Sequence, residues 1–213
     1  IYIVADEEVP SGGDGYVFLS YYSFKKYNQN LNKLHLDGAI YPLNSIQNTQ
    51  KPYIKKNKTI FFYSGSFFEN TGVKILLDVM ELLNENNFEL WISGSGNNSF
   101  LRSAIKNDKR IKFFGLLTSK QLQNAYKKAD IFLNPRPVDM FANDISFPSK
   151  LFDYLAWDKP VISTCTKSLD PMYKKILHIV DDNPVSIALA MRSYLKGKKY
   201  FKPKHKNLSK KNW

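Results

Sequence analysis

From residue 58 onward, short apolar runs alternate with segments whose apolar residues recur every three or four positions. The runs are TIFFYSG (59–65), FELWISG (88–94), RIKFFG (110–115), DIFLNP (130–135), PVIST (160–164) and a shorter ILHIV (176–180). Residues 73–85, 100–106, 119–129, 148–157 and 184–195 carry the helical spacing. Runs apolar at consecutive positions are strands buried on both faces. The pattern therefore predicts an α/β fold, a doubly wound parallel sheet with crossover helices on each side. Ligands of such sheets bind at the carboxyl ends of the strands. Here the runs stop at Gly65, Gly94, Gly115, Pro135 and Thr164, so several glycines fall along one rim.

The first part of the chain reads differently. IYIVA is a strand, EEVPSGGDG a loop, and YVFLSYYSFKKYN a strand running into a helix. Residues 44–57 (NSIQNTQKPYIKKN) are polar and linker-like. One or two strands make a marginal domain. Residues 1–43 are therefore expected to close a preceding domain whose bulk is absent. Residues 58–196 form the main domain, and 197–213 a basic tail. The chain begins at Ile1 with no charged or apolar leader, which predicts no signal peptide and a start inside a longer protein.

The most informative stretch is SFPSKLFDYLAWDKPVIST (146–164). Pro148 suits a first helical turn, Ser146 is a natural cap, and Ser149 and Lys150 follow at the helix start. Free backbone amides beside a cation favour phosphate. Leu151, Phe152, Leu155 and Ala156 face a core, while Asp158-Lys159-Pro160 ends the helix before the next strand. Asp153 shares a helix face with Lys150, within reach of one ligand.

The formal charge of +12 raises the question of nucleic acid, but its distribution argues otherwise. Residues 196–213 hold eight lysines and no carboxylate, so most of the excess lies in the tail. Such a block is either a solvated end or an attachment to anionic lipid headgroups, with Tyr200, Phe201 and Trp213 as interfacial aromatics. The single cysteine, Cys165, excludes an internal disulfide and fits a reducing cytoplasm. No apolar run is long enough to span a bilayer. The expected location is cytoplasmic, peripheral on the inner face of the membrane if the tail binds lipid. His35, His178 and His205 are too separated to suggest a metal centre or a triad.

With the rim, late helix and linker in place, residues 58–196 resemble the donor-binding C-terminal half of a GT-B glycosyltransferase, in particular glycosyltransferase family 4, whose fold is Rossmann-like. The resemblance is carried by an ordered series. FFYSGSFFENTGVKILLDVMELL looks like the family's first strand, turn and helix, and ELWISGSGNNSFLRSAI like its second strand and turn. RIKFFGLLTSKQLQNAYKKADIFLNP is similar to the third and fourth units, and SFPSKLFDYLAWDKPVIST to the signature helix and strand. DGYVFLSYYSFKKYN and DGAIYP are similar to the end of the N-terminal domain and the connection that follows.

The resemblance implies retaining transfer of a sugar, as by a hexosyltransferase, from a nucleotide-sugar donor to an acceptor glycan or lipid-linked glycan held by the missing N-terminal half. It implies neither a cofactor nor a metal, because helix amides and cationic side chains neutralise the departing diphosphate. Asp153 takes the place of the family's second glutamate, which accepts hydrogen bonds from the ribose hydroxyls. The first glutamate's place is Ile145, which leaves the adjacent Asp144 as the catalytic candidate. Asn70 and Thr71 stand where relatives often carry a basic pair, so Lys150 and Arg136 are candidate substitutes. Gly65, Ser66, Gly94 and Gly96 are expected against the donor, Gly115 and Leu117 against its base, and Phe147 as a sugar platform. The Asn-Pro-Arg-Pro segment at 134–137 and the FPSK form point to surface polysaccharide or glycoconjugate synthesis. Without its acceptor half the chain is expected to bind donor and turn over poorly. Two other readings remain, a non-catalytic nucleotide-sugar-binding module and a membrane-surface or RNA-binding protein acting through the lysines.

Overall fold

A computed structural model describes residues 1–4, 9–27, 30–37 and 58–197. The linker at 44–57 and the tail beyond Gly197 lie outside the described residues. Two parallel sheets are present. The smaller joins β1 (Tyr2–Val4), β2 (Tyr16–Phe18) and β3 (Lys33–His35) in that order, with α1 (Tyr21–Lys26) after β2. Its third strand was not expected from the sequence. KLH has no apolar alternation, and only pairing with β2 makes it a strand. Ser20 caps α1, accepting from the Ser23 amide.

The larger sheet contains β4 (Thr59–Ser64), β5 (Phe88–Ser93), β6 (Ile111–Phe113), β7 (Ile131–Asn134), β8 (Val161–Ser163) and β9 (His178–Ile179). Its order is β6-β5-β4-β7-β8-β9, all parallel. Six strands thus match the six apolar runs. The crossovers are α2 (Ile75–Leu82), α3 (Ser99–Asn107), α4 (Ser119–Lys128), α5 (Phe141–Ile145) with α6 (Lys150–Leu155), and a 3-10 turn at Pro171–Lys175; α7 (Pro184–Leu195) follows β9. Among the described residues, no helix is long and apolar enough to cross a membrane.

The strand period of two divides the core. Phe61, Tyr63, Leu90, Ile92, Leu133 and Ile162 point into a cluster closed by α2, α3 and α7. Ile60, Phe62, Phe132 and Val161 point the other way, against Tyr126 of α4 and Leu151, Tyr154 and Leu155 of α6. Truncating any one buried phenylalanine to alanine costs about 3–5 kcal/mol, a large part of a domain's net stability. The apolar runs are therefore what hold the sheet.

Helix ends follow local chemistry. Thr118 and Gln121 form a reciprocal capping box for α4, and Asn183 caps α7 ahead of Pro184. Two expectations are corrected. The helix expected over 148–157 is regular only across Lys150–Leu155, and Ser146 does not cap it. Ser146 instead terminates α5 in an extended conformation. The helix expected over 73–85 shortens to Ile75–Leu82, because Gly72 to Lys74 form the turn that enters it.

Candidate functional site: a crevice at the strand-order reversal

From β4 the chain winds outward through β5 and β6; from β7 it winds the other way through β8 and β9. The connections leaving the carboxyl ends of the adjacent β4 and β7 therefore lead to helices on opposite faces of the sheet, α2 on one and α6 on the other. A crevice open to solvent lies between these strand ends and the start of α6. The end of β4 and its turn (Tyr63 to Ser66), the end of β7 with Arg136, and the start of α6 (Pro148 to Lys150) line it, with Thr71 and Tyr154. Gly65, Ser66, Arg136, Ser149 and Lys150, separated by up to eighty-five positions, are thus brought to one place.

The α6 tip forms without a side-chain cap. The Leu151 amide donates to the Pro148 carbonyl at 2.9 Å and the Phe152 amide to Ser149 at 3.1 Å. The amides of Ser149 and Lys150 precede these first helical bonds, and both residues line the crevice. Asp153 lies one turn on, beside the crevice rather than in its lining. Its carboxylate is 3.8 Å from Lys150 Nζ, with the two side chains 48% and 42% exposed. At that distance and exposure the pair contributes little to stability, so Lys150 is available to a ligand.

Arg136 is held stiffly. Its Nη1 donates to Asn143 Oδ1 at 3.3 Å and to the Ser146 carbonyl at 3.1 Å. Burial lowers its pKa from the ordinary arginine value, but a guanidinium keeps its charge. Asn143, fully buried, donates to the carbonyls of Asn70 (2.9 Å) and Pro137 (2.8 Å), tying the loops after β4 and β7 together. Sequence reasoning missed Asn143, since an asparagine in a five-residue helix carries no signal of its own.

A second missed group is Ser64, the last residue of β4. Its amide donates to Tyr154 Oη at 2.8 Å, and its hydroxyl lies 3.2 Å from Tyr126 Oη, which donates to Asp153 Oδ2 at 3.4 Å. Burial raises the pKa of Tyr126 and Tyr154 far above the ordinary phenol value and lifts Tyr63 to about 12. All three remain neutral donors at physiological pH.

The other rim residues play different parts. Gly94, at φ 151°, lies so close to the first turn that a Cβ there would be 1.7 Å from the Gly65 carbonyl oxygen. Gly96 abuts Phe67 in the same way, and the Gly115 carbonyl accepts from the Gly94 amide at 2.9 Å. These three do not line the crevice; Gly94 and Gly96 let successive turns stack beside it, and Gly115 joins them through its carbonyl. Leu117 is half-buried and packs on the α4–α6 core. Phe147 is a core residue, stacked 4.8 Å from Phe152 and tilted against Tyr173 at 5.4 Å, and offers the crevice no platform.

Asp144 is also elsewhere. Its backbone carbonyl accepts from Ser20 Oγ at 2.5 Å, and its Oδ2 pairs with Lys167 at 2.9 Å, while Oδ1 is buried without a partner among the described residues. That puts Asp144 at the seam between the two sheets, outside the crevice lining. Its neighbourhood explains why: α5 packs on α1, with Phe141 edge-on to Tyr22.

A family model described as "Glycosyl transferases group 1" matches residues 58–196. The chain belongs to that family. The matched residues coincide with the larger sheet and its helices, and the fold agrees. Sucrose-phosphate synthase from Thermosynechococcus elongatus superposes on this chain with a TM-score of 0.65 at 16% identity, covering 92% of this chain and 52% of its own. The lipopolysaccharide outer core galactosyltransferase WaaB, in its apo form, gives 0.63 at 15%, covering 90% and 56%. Anabaena HepE, in complex with UDP, gives 0.61 at 11%, covering 87% and 55%. The chain therefore spans about half the length of these structures. Among curated protein sequences, none matches it. These likenesses bear out the GT-B, Rossmann-like architecture expected from the sequence.

Proposed function

We propose that the β4/β7 crevice of this group 1 glycosyltransferase holds the diphosphate of a nucleotide-sugar, and that the whole protein transfers the sugar with retention. The observation that carries this reading is the convergence of the start of α6, with Ser149 and Lys150, and of Gly65 and Ser66 on one crevice at the strand-order reversal. A diphosphate is anionic, and its charge grows on the leaving oxygen as the glycosidic bond breaks. Preorganised amides and an ammonium stabilise that charge without a metal. Arg136, half-buried at the same wall, adds a fixed positive charge. Asp153 then accepts from the ribose hydroxyls, and the Gly115–Leu117 turn meets the base. A UDP complex of a structural neighbour supports a nucleotide as occupant.

Same-face attack assisted by the donor phosphate needs no protein nucleophile, which suits the placement of Asp144 at the seam. The acceptor, in this reading a glycan or lipid-linked glycan of a surface polysaccharide, sits against the preceding domain, of which residues 1–43 are the closing part. The lysine-rich tail attaches the enzyme to the inner face of an anionic membrane.

A thermal-shift panel of UDP, GDP, ADP and their sugars tests the donor site, since a ligand that prefers the native state raises its melting point. One nucleotide series is expected to stabilise the protein, and Asp153→Ala to weaken that ligand about tenfold to a hundredfold with the fold intact. Silence across the whole panel would sink the reading. A second reading, a sensor that binds without transfer, is favoured by the uncharged loop at Asn70 and Thr71; an assay of the full-length protein separates the two.

A further inference from the structure

We propose that Tyr126 is a positioning residue for the Asp153 carboxylate, acting through an ordered chain of hydroxyl groups that begins at the end of β4. The proposal rests on the donor-site reading and assigns the source of ribose selectivity within it.

Tyr126 has no freedom to turn. Its ring is fully buried and meets Phe62, Phe132 and Tyr154 edge-on at centroid distances of 5.5, 5.5 and 5.8 Å, with Trp157 at 6.3 Å. Only the hydroxyl escapes the apolar box. It lies between Ser64 Oγ at 3.2 Å and Asp153 Oδ2 at 3.4 Å.

The protons in this chain run one way. A carboxylate can only accept, so the Tyr126 proton goes to Asp153, and the Tyr126 oxygen is left to accept from Ser64 Oγ. Tyr154 completes the set, accepting the Ser64 amide at 2.8 Å and lying 3.3 Å from both the Ser64 hydroxyl and its carbonyl oxygen, to which it donates. Every member is satisfied in this order. Successive bonds in a buried chain polarise one another, so Asp153 receives a firmer donor than an isolated phenol would supply.

The consequence concerns aim. Oδ2 is drawn inward by Tyr126, and Lys150 lies 3.8 Å from that same oxygen, which leaves Oδ1 for a ligand beside the crevice. Aspartate is one methylene shorter than glutamate, so a carboxylate at this position has less reach to correct a wrong orientation. A fixed carboxylate oxygen best recognises a hydroxyl at one set place, and a sugar lacking that hydroxyl leaves it unsatisfied. The ligand chemistry assigned to Asp153 with Tyr126 is therefore an intact ribose, in preference to a deoxyribose. Ser64 and Tyr154 line the crevice, so the phosphate wall and the ribose carboxylate belong to one network.

The test uses the full chain and the nucleoside diphosphate that binds most tightly in the panel above, together with its 2′-deoxy and 3′-deoxy forms. Tyr126→Phe preserves the ring contacts and removes the donor. The variant is expected to bind the ribonucleotide about tenfold more weakly than the native protein while its affinity for at least one deoxy form is unchanged. Equal losses for all three would reduce Tyr126 to a packing residue, and no loss for any would remove it from the site altogether. A ligand-free measurement keeps the proposal exposed if no nucleotide binds, which is the failure of the donor-site reading itself. Proton NMR of the native protein should show a slowly exchanging Tyr126 hydroxyl whose resonance moves in Asp153→Asn; an absent or unmoved resonance overturns the proposal.

Discussion

Lys150 and Asp153 were legible as single residues because their roles depend on local spacing: a proline-led helix start places one at the tip and the other a turn along. Structure adds what each side chain does there. Among the described residues, Lys150 has only a loose, exposed partner in Asp153. Lys150→Met should therefore leave stability within about 0.5 kcal/mol, the range of ordinary surface changes. The same variant should weaken a nucleoside diphosphate about fivefold to tenfold and leave the bare nucleoside unaffected, as read by calorimetric titration. Equal losses for the two ligands would show that Lys150 does not meet phosphate. Phe147 was expected as a sugar platform and is instead buried in the core. Its ring contacts with Phe152 and Tyr173 come from α6 and from a turn more than twenty positions away, a neighbour that no local pattern reveals.

At the scale of elements, the turns matter more than the helices. The 3-10 turn at Glu69–Thr71 ends in Gly72, whose φ is 72° and whose absent Cβ would stand 1.7 Å from the Pro135 carbonyl oxygen. This contact seats the loop after β4 directly on the loop after β7, and Asn143 reinforces it. Gly115 has a similar φ of 63° but open space where its Cβ would be. Comparing the two separates clash from strain. Gly115→Ala should cost about 1–2 kcal/mol, the left-handed penalty alone. Gly72→Ala should cost at least about 2 kcal/mol more, a further drop in Tm of about 4–8 °C, and should weaken donor binding because the rim is displaced. Equal melting points for the two variants would show that the two loops can part without cost. Strand positions were legible because buried parallel strands are apolar on both faces. Helix α5 and strand β3 were not, since each is short and takes its form from the neighbour it packs on or pairs with.

Across the whole molecule, the two sheets meet along a polar seam. The Tyr21 amide donates to the Ser168 carbonyl at 3.0 Å, Ser20 reaches Asp144, and Tyr173 Oη donates to Asp37 at 3.2 Å, with His35 Nε2 lying 2.7 Å from Asp37. Tyr173, like Tyr63, Tyr126 and Tyr154, is a phenol whose pKa is raised, first by burial. The sign of the linkage follows. Below about pH 10 these groups are protonated in both folded and unfolded chains, and their full contribution is present. Above it the unfolded chain releases protons that the folded one retains, so stability falls by up to about 1.4 kcal/mol per pH unit for each phenol. For Tyr63 the loss continues until about pH 12. Denaturant melts from pH 8 to 11 should show a flat region and then a steep decline, shallower in Tyr63→Phe. A decline of equal slope in that variant would mean that Tyr63 ionises in the folded protein as readily as in the unfolded one.

The one-dimensional pattern determined the elements of the main sheet, its parallel sense, the rim on which a ligand would sit and the helix tip that would meet phosphate. Each of these depends on period, burial and turn chemistry within a few residues. Tertiary structure alone decided which rim residues share a crevice, because the strand order that puts β4 beside β7 is a choice among topologies. It also decided that Ser64, Tyr126 and Tyr154 stand behind Asp153, that Asn143 locks two loops, and that Asp144 belongs to the seam. Those are contacts between positions from six to well over a hundred residues apart, and their energies come from burial and hydrogen bonding in three dimensions, which no local spacing encodes.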